Sequence, residues 1–202
     1  SEHGSVFEWY HKKQAIEAAG LKYIHAAEIY LTESLDEKIR DNYHCVLIAK
    51  NYNGVKELNK LISASFNRDD YHYYYAPRIS FEEIYATSDN IVITTACLGG
   101  VLNKAKNDIK SEFLRFLIKN KHRCYLEIQH HNCADQATYN KVLYAINQKT
   151  SIPLIAGTDT HCLNDTHIEG RSILQKAKSV FFSDEESWDL TFKTYDELVE
   201  AY

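Results

Sequence analysis

The 202-residue sequence contains no methionine, no CxxC pair, no surplus of basic residues and no long apolar run. Without a stretch approaching the ~20 apolar residues that cross a bilayer, a membrane-spanning helix is excluded. No basic segment is followed by an apolar one, so no secretory signal can be read. A formal net charge of −5 does not predict nucleic-acid binding by bulk electrostatics. Any such contact would need a local patch or other parts of a larger protein. Five cysteines, at 45, 97, 124, 133 and 162, leave at least one unpaired within the chain. A chain of this length needs no covalent staples, so reduced thiols and a cytoplasmic location are expected. The missing methionine, with an opening on Ser1 inside what reads as a motif, leads to the expectation that an upstream segment is absent. Neither an internal repeat nor a low-complexity tract is present.

What is present suits one soluble globular domain with a sizeable core, at 45% hydrophobic and 25% charged residues. Apolar spacing predicts helices over 6–19, with Gly20 as the stop, and over 55–66, 109–119, 135–149 and 169–178. Strands are expected at 23–31, 43–49, 91–93, 123–129 and 152–156, with a polar loop over 32–41. Asn53-Gly54 reads as a turn, and the Tyr-rich segment 69–78 as a surface excursion. Ser80 with Glu83, and Thr194 with Glu197, have capping-box spacing. Short strands, apolar on both faces and alternating with helices, predict an α/β fold built on a parallel sheet or barrel. A chain of this length fits most of a compact barrel that lacks its first strand.

Ionisable residues gather where these strands end. The stretch IPLIAGTDTHCL (Ile152–Leu163) closes a strand with Gly157 and then presents Asp159 and His161. In extended chain, residues two apart point the same way, so a carboxylate and an imidazole would project together. His131 follows a second strand and Cys97 a third, Glu28 lies late in another, and His3 precedes the first helix. All are metal-ligand types suited to Zn, Mn or Fe, and their collection at one end of a sheet is what a polynuclear site acting on phosphoryl groups requires. Each also has a plainer reading. His3 could be a loop or capping residue, Cys97 a small buried hydrophobe, and Asp159 the cap of the next helix with His161 as its partner. Glu28 is costly to bury without a partner, which favours a ligand or ion pair. His130 and His131 face opposite ways in a strand, which leaves one exposed. His44 precedes its strand's apolar run and so falls at the wrong end of a parallel barrel. His11, His25, His72, His122 and His167 have no such context, and Lys119, Lys121 and Arg123 read as a solvated basic face.

Taken in order, SEHG, AAE, YHCVLIAKN, TTACLGG, YLEIQHH and GTDTH resemble the PHP (polymerase and histidinol phosphatase) domain, specifically the branch found in bacterial DNA polymerase III alpha subunits. The segment Tyr75–Ile79 and the ending FKTYDELVEAY extend the likeness over residues 1–202. The resemblance implies a distorted seven-stranded β/α barrel (PHP fold) holding two or three divalent metal ions. It matches His3 to the histidine of the family's T-D-H-G element, Glu28 to G-x-E and His44 to the histidine before L-L-A-K. It matches Cys97 to S-A-C-L-x-G, His131 to the histidine after E-L-Q, and Asp159 and His161 to N-D-x-H. These seven are the expected metal ligands, with Asp159 and His161 as the catalytic pair. Glu2 departs from the family's aspartate, and the H-x-H pair of the first strand, with the acid that follows it, has no counterpart in the chain.

The resemblance further implies an N-terminally truncated piece of a larger polymerase subunit. Its partners would be DNA, through that polymerase, and other holoenzyme subunits, with no membrane. The domain's own chemistry would be metal-dependent phosphodiester hydrolysis, as in 3′→5′ proofreading. The alternatives are a free-standing phosphoesterase acting on a small phosphate such as histidinol phosphate, and a non-catalytic scaffold module.

Overall fold

The computed structural model describes residues 1–40, 42–180 and 188–202; the polar loop expected at 32–41 ends outside them. The strands are β1 (Glu2–His3), β2 (Ala26–Thr32), β3 (Tyr43–Ala49), β4 (Tyr73–Tyr74), β5 (Ala76–Ser80), β6 (Ile91–Thr94), β7 (Cys124–Gln129) and β8 (Leu154–Gly157). The helices among the described residues are α1 (Trp9–Ala18), α2 (Tyr52–Ser65), α3 (Phe81–Tyr85), α4 (Val101–Lys104), α5 (Asn107–Lys119), α6 (Ala134–Thr150), α7 (Asp165–Ala177) and α8 (Tyr195–Ala201). No helix among the described residues is long and apolar enough to cross a membrane.

The α/β class is as expected, and the sheet runs β4-β5-β2-β3-β6-β7-β8 with β1 beside β2. The all-parallel sheet is not found. β3 is antiparallel to both β2 and β6, while β1–β2, β2–β5, β6–β7 and β7–β8 are parallel. This reversal puts the start of β3 at the same end of the sheet as the C-terminal ends of β2 and β6.

Nor are the strands apolar on both faces. Ala27, Ile29, Leu31, Cys45, Leu47, Ile91, Ile93, Cys124 and Leu126 alternate along their strands and are almost completely buried under α2, α5 and α6. Their neighbours of opposite parity share registers across the other face: Glu28 with Val46, Val46 with Thr94, Thr94 with Tyr125, and Glu127 with Ile155. One face is therefore the hydrophobic core and the other carries carboxylates and hydroxyls, a division that the period of two enforces.

Both capping boxes form. Ser80 exchanges bonds with Glu83 at the start of α3, and Thr194 with Glu197 at the start of α8. Asn53 and Gly54 lie inside the first turn of α2, which Asn51 caps through its side chain, so the expected turn is a helix start. The excursion at 69–78 is only partly on the surface. It contains β4 and the first half of β5, and Arg78 within it is fully buried. Arg123 is also buried, held by Thr87 and the Ile91 carbonyl, which breaks up the expected basic face.

Candidate metal centre

Glu28 is the pivot of the polar face. It is 6% exposed, and its carboxylate lies 2.7 Å from His44 Nδ1 and 3.7 Å from His3 Nδ1. Burial opposes its ionisation, yet the hydrogen bond and charge of His44, with His3 and His161 nearby, hold its pKa below the ordinary value. The antiparallel course of β3 removes the objection to His44. That residue sits opposite Tyr30 late in β2, and its amide donates to the Gly99 carbonyl in the loop that carries Cys97. His44 Nδ1 is 3.3 Å from Cys97 Sγ, and the ligand atoms of Glu28, His44 and Cys97 all lie within 4.8 Å of one another. Gly99 makes this packing possible, since a Cβ there would stand 2.8 Å from His44 Nδ1.

A second group forms around Asp159. Its carboxylate is 4.0 Å from His131 Nε2 and 3.8 Å from His161 Nδ1. His3 links the two groups, its ring centroid 5.2 Å from that of His161. All seven residues singled out in the sequence thus converge, although not by the expected local geometry. The strand at 152–156 is realised as β8, Leu154–Gly157, and is not buried throughout: Ile152 is buried but Ala156 is exposed. Asp159 lies beyond the strand in the left-handed region (φ 45°), and Ala96, just before Cys97, is also left-handed (φ 54°). Such conformations in non-glycine residues are strained and concentrate at functional sites. His161 is oriented through a loop hydrogen bond, Nδ1 to the Asp159 carbonyl at 2.7 Å, rather than by strand alternation. Asp159 is not the cap of the helix that follows; Asn164 caps α7.

The decisive atom is His131 Nε2. Its partner Nδ1 donates to the Asp189 carbonyl at 3.1 Å, and the ring stacks on Trp188. With the proton fixed on Nδ1, Nε2 presents a bare lone pair, buried and without a hydrogen-bond partner among the described residues, toward a carboxylate oxygen. Two acceptors facing each other in a buried site repel, whereas a cation between them satisfies both. Metal–nitrogen and metal–oxygen bonds of about 2 Å allow one ion to span a gap of this size. A backbone carbonyl accepting from Nδ1 is also how ligating histidines are normally held. The residues fit a bound metal.

The family model of the PHP domain matches residues 1–131. The chain belongs to the PHP family. Its homologues include the DNA polymerase III subunit alpha of Borreliella burgdorferi, 30% identical over 185 residues, covering 86% of this chain and 16% of that protein. The Aquifex aeolicus subunit alpha is 32% identical over 184 residues, 81% of this chain and 15% of the relative. A PolC-type DNA polymerase III of Pediococcus pentosaceus is 28% identical over 203 residues, 94% and 14% respectively. This PHP domain therefore spans about one sixth of the first of these relatives.

One residue of the candidate site escaped the sequence reading. Glu127 lines the same cavity, about 320 Å³, as Glu28, Cys97, Asp159 and His161. Its carboxylate accepts bonds from Thr94 Oγ1 and from Gln129 Nε2, the latter at 3.0 Å, and a Cβ on Gly157 would overlap it. The signal was available: a carboxylate inside the apolar run RCYLEIQ is the same anomaly that marked Glu28. Three carboxylates now share one small cavity. Burial raises Asp159 and Glu127, and burial with the nearby carboxylates pushes the Cys97 thiol well up. Added positive charge would relieve all three.

The remaining histidines divide. His25 is buried and bonded on both nitrogens, to Asn59 and Tyr23, as a core histidine should be. His72 pairs with Asp70 and Glu83, and His122 with Asp89. His130 is not simply exposed, since both its ring nitrogens are shielded and have no hydrogen-bond partner among the described residues.

Burial, with His130 adding to it, holds His131 down to about 4. The unfolded chain takes up this proton near the ordinary value of 6.5 and the folded chain does not, so stability falls as pH drops through that window. The urea midpoint of metal-free protein is expected to decline between pH 6.5 and 4, with a shallower decline in His131→Gln. Equal slopes in the two proteins would contradict the assignment.

Proposed function

We propose that this PHP domain is a divalent-metal-dependent phosphodiesterase within a DNA polymerase III alpha subunit, acting on DNA 3′ ends. His131 Nε2, which has no hydrogen-bond partner among the described residues and faces the Asp159 carboxylate, carries the reading, because a cation between the two would satisfy both. Kinship with the polymerase subunits supplies the substrate class. In this reading the 202 residues are one domain of a longer cytoplasmic polymerase, whose DNA and other holoenzyme subunits are the partners. The sheet belongs to a distorted seven-stranded barrel. One feature supports closure: the C-terminal end of β8 lines the same cavity as Ser1 and His3.

Two or three ions of the Zn, Mn or Fe type suit the donors. Glu28, His44 and Cys97 would hold one, and His131, Asp159 and His161 another, with His3 between them. Bound divalent ions would polarise a phosphodiester, make water a better nucleophile and stabilise the leaving 3′-oxygen. The chain's own residues prepare this arrangement. The carbonyls of Asp189 and Asp159 take the Nδ1 protons of His131 and His161, leaving each Nε2 free to bind. Glu28 orients His44, while Thr94 and Gln129 keep Glu127 fixed in the cavity wall. His3, with a half-exposed side chain, stands where substrate would enter.

The test is incubation with a single-stranded oligonucleotide and Mn²⁺ or Zn²⁺, with release of mononucleotides followed. Metal-dependent shortening from the 3′ end, abolished by a chelator, is expected. Hydrolysis of a sugar or amino-alcohol phosphate but not of DNA would favour the free-standing phosphoesterase. Protein that neither retains a transition metal nor hydrolyses either substrate would be a scaffold.

A further inference from the structure

We propose that Tyr202 is a positioning residue for the candidate metal centre, the end of a strap over residues 188–202 that sets the gap between His131 and Asp159. The proposal rests on the metal-centre reading for what fills that gap, and on the strap's own contacts for everything else.

β7 and β8 deliver the two residues from neighbouring strand ends. The strands pair as far as the rung Gln129↔Gly157, and His131 and Asp159 follow it on separate loops. Strand pairing therefore does not fix the 4.0 Å between His131 Nε2 and the Asp159 carboxylate. At the last rung stands the Tyr202 hydroxyl, 2.8 Å from the Ile128 carbonyl and 2.6 Å from that of Gly157. One O–H proton shared by both carbonyls ties strand end to strand end, three residues before His131 and two before Asp159. Burial pushes this hydroxyl up to about 12, which keeps it a donor throughout the neutral range.

The strap reaches Tyr202 by a course that is itself tied to the ligands. Trp188 stacks on the His131 ring, and the Asp189 carbonyl accepts its Nδ1 proton. The Leu190 carbonyl takes the amides of His161 and Cys162 at 2.9 and 3.1 Å, and the Phe192 amide returns a bond to the Cys162 carbonyl at 2.9 Å. Between these points the strap is stiffened. Thr191 and Lys193 hold the Asp189 carboxylate, and the Thr194–Glu197 capping box starts α8, whose last turn presents Tyr202. α8 itself buries no residue, so a share in the hydrophobic core does not explain the placing of Tyr202. The contacts of the strap fall instead on both sides of one gap, the one that a metal ion between His131 and Asp159 would span. Groups that only orient a metal ligand are worth about 10–100-fold in affinity.

Titration with Co²⁺, followed by visible absorption, tests the assignment without requiring turnover. Tyr202→Phe, which removes only the hydroxyl, is expected to weaken Co²⁺ binding at least about tenfold and to shift the absorption bands, which report ligand geometry. In the metal-free variant, amide exchange is expected to rise over residues 126–131 and 154–162, with α2 and α5 unchanged. Tyr195→Phe, on the same helix and 79% exposed, is expected to alter none of these readouts. Unchanged Co²⁺ affinity and spectrum in Tyr202→Phe, or exchange that rises evenly over the whole chain, would overturn the assignment. Exchange that rises only at the two strand ends, in a protein whose native form takes up no Co²⁺, would uphold the strap and defeat the metal-centre reading.

Discussion

Asp159→Asn is expected to lower metal-dependent hydrolysis by at least about 100-fold, since loss of even a group that only orients a metal ligand costs about 10–100-fold, and to lower metal affinity in parallel. The substitution is almost isosteric, and asparagine tolerates the left-handed backbone that residue 159 adopts (φ 45°). The fold is therefore retained. The stability change has a diagnostic sign. Burial and the neighbouring Glu28 raise the Asp159 pKa, so ionising this carboxyl at neutral pH works against the metal-free fold. The neutral amide removes that cost. Metal-free Asp159→Asn should then be at least as stable as the native protein, while the stabilisation gained on adding Mn²⁺ or Zn²⁺ shrinks. Thermal melts with and without metal, beside an oligonucleotide assay, check both halves. A variant that is destabilised without metal yet fully active would make Asp159 a structural residue.

Arg78→Ala is expected to produce the largest loss of stability, about 3 kcal/mol or more. The Arg78 side chain is completely buried, and its guanidinium donates to the backbone carbonyls of Ser34, Leu35, Glu37, Ile39, Tyr71 and His72. No carboxylate pairs with it among the described residues. The cation is solvated by peptide dipoles, and in return it pins two irregular segments, 34–39 and 71–72, against β5. Alanine leaves those carbonyls without their donor and opens a cavity. Lysine keeps the charge but not the planar fork, so Arg78→Lys should recover only part of the loss. Urea unfolding measures the loss, and amide exchange should rise first in those two segments. Exchange that increases evenly over the whole chain would show that Arg78 supports the general core instead.

These two residues differ in how far the sequence announced them. Asp159 stood out as a carboxylate following an apolar strand, two residues from a histidine. Arg78 looked like part of a surface excursion, because one arginine among tyrosines does not reveal that six carbonyls converge on it. The same division runs through the site. Glu28 was conspicuous as a charge in an apolar strand, and Glu127 carried the same mark without being singled out. His44 was conspicuous for residue type but contradicted by direction, since a run of residues does not say which way its strand crosses the sheet.

Composition, apolar period and residue type were enough to determine an α/β fold, most of its strands and helices and both capping boxes, because these depend on interactions between near neighbours; picking His44, and His131 over His130, as candidate donors took the family resemblance. The tertiary structure alone decided the antiparallel course of β3 that brings His44 to Glu28 and Cys97. It also decided the left-handed turn at Asp159 and the carbonyl that holds the His131 proton on Nδ1. Each depends on atoms far apart in the chain, and their meeting is set by the packing of the whole sheet.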